Sequence, residues 1–174
     1  MLKKKLGIDE KDLNIIDSYM KNANVSQKEI ADALKLSQPS VFVRIQKLKK
    51  KGLLRTNIGI EFTNSNLFMC RIDLTSKNPN GLLNELKKCP FFVNGFIISG
   101  ESNVSVMFAH QNLQKIDEIV NNHLRKKESV SNVKLNVIVS SAKDYIFQID
   151  LNNIDNIDCV NQENCNDCQS IDLK

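Results

Sequence analysis

Three of the five cysteines in this 174-residue sequence fall within ten residues, as Cys159-x5-Cys165-x2-Cys168. They lie in a polar, acidic segment, residues 151–174, that carries one Lys against five Asp/Glu, a net charge of −4. A Cys-x2-Cys chelate bridges neighbouring irons, so three thiolates hold three corners of a cuboidal iron–sulfur cluster. The fourth iron is then absent (3Fe-4S) or bound by a non-cysteine ligand (4Fe-4S). Zinc uses the same pair, but a structural zinc takes four ligands. Asp158, Asp167 or a partner subunit would supply the fourth, because His110 and His123 are remote in the sequence. A thiol switch needs two of the three cysteines, and a tail with idle thiols needs none. All four readings stand at this point, with an iron–sulfur cluster as the expected cofactor and zinc as its alternative. Cys70 and Cys89 sit in apolar stretches and read as buried thiols.

Little else along the chain has the spacing of a reactive centre. There is no nucleophile–His–acid constellation, no Gly-rich phosphate loop and no paired carboxylates of a pocket, so an enzyme is not expected. No run approaches the length of a membrane span. The opening, Met1-Leu2-Lys3-Lys4-Lys5-Leu6-Gly7, has basic residues without the apolar stretch of a signal peptide. The expected location is the cytoplasm, with no membrane partner. Charge is uneven: residues 1–62 carry 13 Lys/Arg against 7 Asp/Glu, and residues 63–150 carry 10 against 8. A basic first third points to a polyanion.

The elements that would present this charge are legible as patterns. Asp9 to Lys21 reads as a helix with Leu13, Ile16 and Met20 at helical spacing. Ser26-Gln27-Lys28-Glu29 is a capping-box sequence that opens a short second helix ending near Lys35. Ser37 caps a third, with Pro39 tolerated in its first turn and Gly52 ending it. Val41, Ile45 and Leu48 form the buried stripe of that helix. In a helix-turn-helix the first residues of such a helix meet base edges in the major groove. Ser37, Gln38, Pro39, Ser40, Val43, Arg44 and Lys47 are therefore the candidate DNA-binding residues, with Ser26 and Gln27 at the start of the helix before. Gln38 and Arg44 suit base edges, and Lys47 with Lys49 to Lys51 suits phosphates.

Leu53 to Phe62 is short and β-prone and reads as a wing or linker strand. Beyond it strands are expected at Leu67–Leu74, Phe92–Ile98, Val104–Phe108 and Val133–Val139, with a fifth at Ala142–Ile149. Helices are expected at Asn80–Lys88 and Leu113–Lys127. The β-α-β-β-α-β order is the ferredoxin-like arrangement. The fold class is thus α+β: a winged helix-turn-helix domain (1–62), a ferredoxin-like domain (63–150) and an acidic cysteine tail (151–174).

Several stretches carry a more specific likeness. Ile8-Asp9-Glu10-Lys11-Asp12, Val25-Ser26-Gln27-Lys28-Glu29-Ile30-Ala31, Leu36-Ser37-Gln38-Pro39-Ser40-Val41, Arg44-Ile45-Gln46-Lys47-Leu48 and Gly52-Leu53-Leu54 resemble the DNA-binding domain of the Lrp/AsnC (leucine-responsive, or feast/famine) regulators. The resemblance extends through the β-α-β-β-α-β region and covers roughly residues 1–150. It implies a transcription regulator that binds double-stranded DNA as a homodimer or higher oligomer. It also implies an effector site at Gly100, Glu101, Ser102 and Asn103, with Asn103 where the family commonly has Asp. The expected function is a sequence-specific regulator that senses iron–sulfur, sulfur or redox status through the tail. The alternatives are an amino-acid- or small-molecule-responsive regulator with a zinc-binding or inert tail, and a metal-carrying module that does not bind DNA.

Overall fold

The computed structural model describes residues 2–149, which form two compact units meeting at Asn57 and Ile58. The first unit is helical: α1 (Leu2–Leu6), α2 (Glu10–Lys21), α3 (Gln27–Leu34) and α4 (Gln38–Lys50). Each boundary has a local cause. The Asp9 carboxylate accepts from the Asp12 amide at 2.8 Å, and the Asp12 carboxylate accepts in return from the Asp9 amide at 3.2 Å, a capping box built from two aspartates. Ser26 and Glu29 make the expected box at the start of α3, with bonds of 3.1 and 2.7 Å. Ser37 Oγ accepts from the Ser40 amide at 3.3 Å and caps α4. At the end of α4, Gly52 takes φ +69°, where a side chain would be strained. The core of the unit is Ile8, Ile15, Ile30, Ala31, Val41, Ile45, Leu48 and Leu54.

The second unit is a four-stranded antiparallel sheet with helices on one face. Its elements are β1 (Ile60–Glu61), β2 (Phe68–Ser76), α5 (Pro79–Leu86), β3 (Phe92–Ile97), β4 (Val104–His110), α6 (Leu113–Val120), β5 (Val130–Ile138) and β6 (Ile146–Phe147). The main sheet runs β3-β4-β2-β5, the order of the ferredoxin-like fold. Cys70, Ile72 and Leu74 of β2 and Val104, Val106 and Phe108 of β4 alternate inward. Leu82 and Leu86 of α5 and Ile116, Ile119, Val120 and Leu124 from the α6 region cover them. The helix expected over Leu113–Lys127 stops being α-helical at Val120, and Asn121–Arg125 forms a π-helical turn. That turn buries His123 and Leu124.

The segment read as a wing or linker strand contributes β1 to the second unit. Among the described residues the first unit contains no strand, and Ile60–Glu61 pairs with Ile146–Phe147 inside the second unit. This pairing lays Phe147 against Met69 and Ala109 on the sheet face opposite the helices. Gly59 is obligatory there, because a Cβ would meet the Phe147 carbonyl oxygen at 2.4 Å. The fifth strand, expected over Ala142–Ile149, is these two residues only.

Cys70 is fully buried in the core, and burial pushes its thiol up to about 11. Its thiolate population at neutral pH is then roughly 100-fold below that of an ordinary thiol, since one pKa unit is a factor of ten. Alkylation of native protein by iodoacetamide at pH 7, read by peptide mass spectrometry, is expected to leave Cys70 unmodified until the chain is unfolded.

Candidate nucleic-acid interface

Helix α4 is bound to the rest of its unit by Val41, Ile45 and Leu48, all fully buried or nearly so. The helical period then places residues 39, 42, 43 and 46 on the side away from the core. Gln38, Pro39, Gln46 and Lys47 are exposed, as are Phe42 (47 %) and Val43 (64 %), while Ser40 is half-buried. Two of these, Phe42 and Gln46, were not among the candidate residues. The spacing signal for them is the same one that placed Val43 outward, and it was overlooked because Phe is usually counted to the core.

Arg44 lies elsewhere than its expected outward position. Its Nη1 donates to Asp9 Oδ2 at 2.7 Å and to Asp12 Oδ1 at 2.6 Å, and its side chain is 26 % exposed. Asp12 is completely buried. The position is three residues after Val41 and four before Leu48, so Arg44 belongs to the flank of the buried stripe. There it joins α4 to the first turn of α2. The hydrogen bonds that Arg44 donates to Asp9 and Asp12 raise its pKa. In Asp9, the Asp12 amide first and the Arg44 guanidinium second hold the carboxyl below its ordinary value. Lys51 is also engaged, with Nζ donating to the carbonyls of Leu6 at 3.2 Å and Gly7 at 2.6 Å. Lys47, Lys49 and Lys50 remain exposed on α4, as does Lys35, whose left-handed backbone (φ +52°) closes α3. Asp9, Pro39, Ser40, Val43, Arg44 and Lys47 together line an open groove of about 540 Å³.

Ser26 and Ser37 are helix caps first, each hydroxyl accepting a backbone amide. Gln27, in the first turn of α3, is half-buried. The start of each helix also presents amide groups and the positive end of the helix dipole, an arrangement that suits phosphate oxygens.

The expected effector stretch joins β3 to β4. Gly100 sits at φ +148° with open space where a Cβ would be. Glu101 is exposed and pairs with Lys134 at 2.7 Å, a contact that lowers its pKa. Ser102 is buried. The Asn103 amide is spent on the end of β2: Oδ1 accepts from the Ser76 amide and Nδ2 donates to the Ser76 carbonyl, both at 2.8 Å. An Asp could make only the first of these bonds. Cys159, Cys165 and Cys168 lie outside the described residues. Among the described residues no three His, Cys, Asp or Glu gather as a metal site, and no helix is long and apolar enough to cross a membrane.

Residues 8–55 match the winged helix-turn-helix DNA-binding family. The chain is 24% identical over 133 residues to the HTH-type transcriptional regulator LrpC of Bacillus subtilis, covering 74% of this chain and 92% of LrpC. It is 26% identical over 137 residues to the HTH-type transcriptional regulator LysM of Sulfurisphaera tokodaii, covering 76% and 95%. The solved structure of LrpC superimposes with a TM-score of 0.65 at 23% identity over 78% of this chain and 97% of that one. That of AsnC from E. coli gives 0.65 at 16% over 78% and 95%.

Two substitutions check this geometry. Arg44→Leu removes the partner of a buried carboxylate; for fully buried pairs this costs ~3–5 kcal/mol, and the partial exposure of Arg44 lowers the expectation to about 2–3 kcal/mol. Because the Asp9 pKa is lowered by folding, the stability it contributes is present above the ordinary aspartate pKa and is lost as pH falls through the folded value. Acid unfolding followed by circular dichroism should therefore be shallower in the variant than in the native chain. Asn103→Asp should destabilise the second unit by about 1–3 kcal/mol, since it leaves the buried Ser76 carbonyl without its donor. Thermal denaturation of the two proteins side by side measures it.

Proposed function

We propose that this chain, a DNA-binding transcription regulator of the Lrp/AsnC type, reports iron–sulfur, sulfur or redox status through a cluster held by Cys159, Cys165 and Cys168. The observation that carries this reading is the division of the thiols into two kinds. Cys70 and Cys89 pack in or against the core of the second unit. The other three are gathered as Cys-x5-Cys-x2-Cys in an acidic segment beyond it. A set of three soft thiolates suits iron–sulfur chemistry better than a four-coordinate zinc site, which would require a further ligand.

The regulator works as a homodimer or higher oligomer in this reading. A single recognition helix contacts too few base pairs for specificity, and two related copies double the site. The sheet has a surface suited to a second copy. Edge strand β3 and the residue after it expose Phe96, Ile97 and Ile98. Two strands in, Arg71 and Asp73 of β2 form an ion pair at 3.0 Å, and Ser105 Oγ of the intervening β4 donates to Asp73 at 2.6 Å. Gain, loss or conversion of the cluster needs to favour one spacing of the two recognition helices by only about 1–3 kcal/mol to change operator occupancy 5–150-fold.

The test is an absorption spectrum with iron, sulfide and zinc analysis on anaerobically purified protein, beside a Cys159/Cys165/Cys168→Ala triple variant. Broad visible absorption with iron and sulfide, both lost in the variant, together with different operator affinities of cluster-loaded and cluster-free protein, is the expected result. A colourless zinc protein would make the tail structural. Protein without metal whose DNA response survives the triple substitution would return the effector to a small molecule. Affinity that does not fall with rising salt would remove DNA binding itself, because phosphate contacts release counterions.

A further inference from the structure

The base-reading surface of α4 contains a single arginine, and that arginine is already engaged. Arg44 is held by Asp9 and Asp12, and Asp12 is completely buried. Turning the guanidinium toward DNA would strand that carboxylate. A bidentate arginine–guanine contact returns a factor of about 5–150 in affinity. Breaking this partly exposed pair forfeits a factor of about 30–150. The exchange therefore gains nothing unless the guanine contact lies at the top of its range.

What remains exposed on the first half of α4 is Gln38, Pro39, Phe42 and Val43, with Gln46 and Lys47 following in the second half. The side-chain amides of glutamine match the N6 donor and N7 acceptor of adenine, and apolar groups contact the thymine C5-methyl. None of these four leading side chains offers the paired donors that read guanine O6 and N7. The exposed lysines of α4, Lys47, Lys49 and Lys50, lie in its second half, whereas the leading residues of a recognition helix are the ones that meet base edges.

We infer that the leading half of this helix reads A·T base pairs, with Val43 and Phe42 against thymine methyl groups and Gln38 on an adenine edge, and that it does not read guanine. The inference rests on the DNA-binding reading above and names the class of sequence it selects. The specificity comes as much from the sequestered arginine as from the exposed side chains.

The experiment uses the full-length protein. Selection from a random duplex pool should yield half-sites whose positions contacted by the leading half of α4 are A·T. Replacing the thymines there one at a time by deoxyuridine, which removes only the methyl group, should weaken binding about 3–10-fold at one or two positions, a methyl burial's worth. In Val43→Ala the thymine duplex should bind correspondingly more weakly, and uracil at that position should cost almost nothing further. Val43 is 64 % exposed, so this variant should melt as the native protein does. Selected half-sites with guanine at the contacted positions, or uracil duplexes bound as tightly as thymine duplexes, would overturn the inference. So would salt-dependent binding with no sequence preference, which leaves the DNA-binding reading intact. Absence of salt-dependent binding to any duplex would overturn both.

Discussion

The carboxylate of Asp12, shut away from water in the first turn of α2, constrains the DNA-binding unit more than any apolar contact does. A buried carboxylate must be hydrogen-bonded and paired, and Asp12 meets both demands locally. It accepts the Asp9 amide and so closes the capping box, and it receives the guanidinium of Arg44 from α4. One group thereby fixes where α2 begins and how α4 lies across it. The apolar residues around it, Ile15, Val41, Ile45 and Leu48, provide the bulk of the stabilisation but tolerate several arrangements. The ion pair tolerates few.

In the second unit the corresponding constraint is the need to finish a sheet at its ends. Helices cover one face with a continuous apolar core. On the other face, the β1–β6 pair brings Phe147 over Met69 and Ala109 with Met107 and Ile138 packed against them, while Arg71, Asp73 and Ser105 are internally paired and Phe96 is exposed. The Asn103 amide ties the β3–β4 connection back to Ser76 at the last residue of β2. Strand register and loop position are thus set by the same few bonds, and the hairpin that follows β3 is held at its base while Gly100 stays open to solvent.

Much of this was legible in the sequence where the determining interactions are local. The Ser26–Glu29 capping box, Ser37 before Pro39, Gly52 after a lysine run and the alternation of strands and helices each depend on residues a few positions apart. They appear in the structure where the pattern placed them. Long-range partners were not legible. Arg44 reads as a surface residue by its charge, and only the presence of Asp9 and Asp12, more than thirty positions away, turns it inward. Leu53–Phe62 reads as a wing or a linker strand, and the partner of Ile60–Glu61, Ile146–Phe147, lies more than eighty positions away. The shift from α- to π-helical winding at Asn121 has no residue signal that marks it, since the period of the apolar residues hardly changes over one turn. The cysteine motif was the clearest chemical signal in the chain, and it lies beyond the residues whose placement is described.

The pairing of β1 with β6 has a mechanical side. Ile60 lies opposite Phe147, and Gln148 reaches the Ile58 carbonyl at 3.0 Å, so the described part of this unit begins and ends at one place. A domain stitched shut at its base behaves as a cassette: it can be exchanged between chains, or circularly permuted, without stretching what is attached on either side. The same stitch is separate from the four-stranded sheet, so the two ends of the described unit are held to each other by two residue pairs of their own.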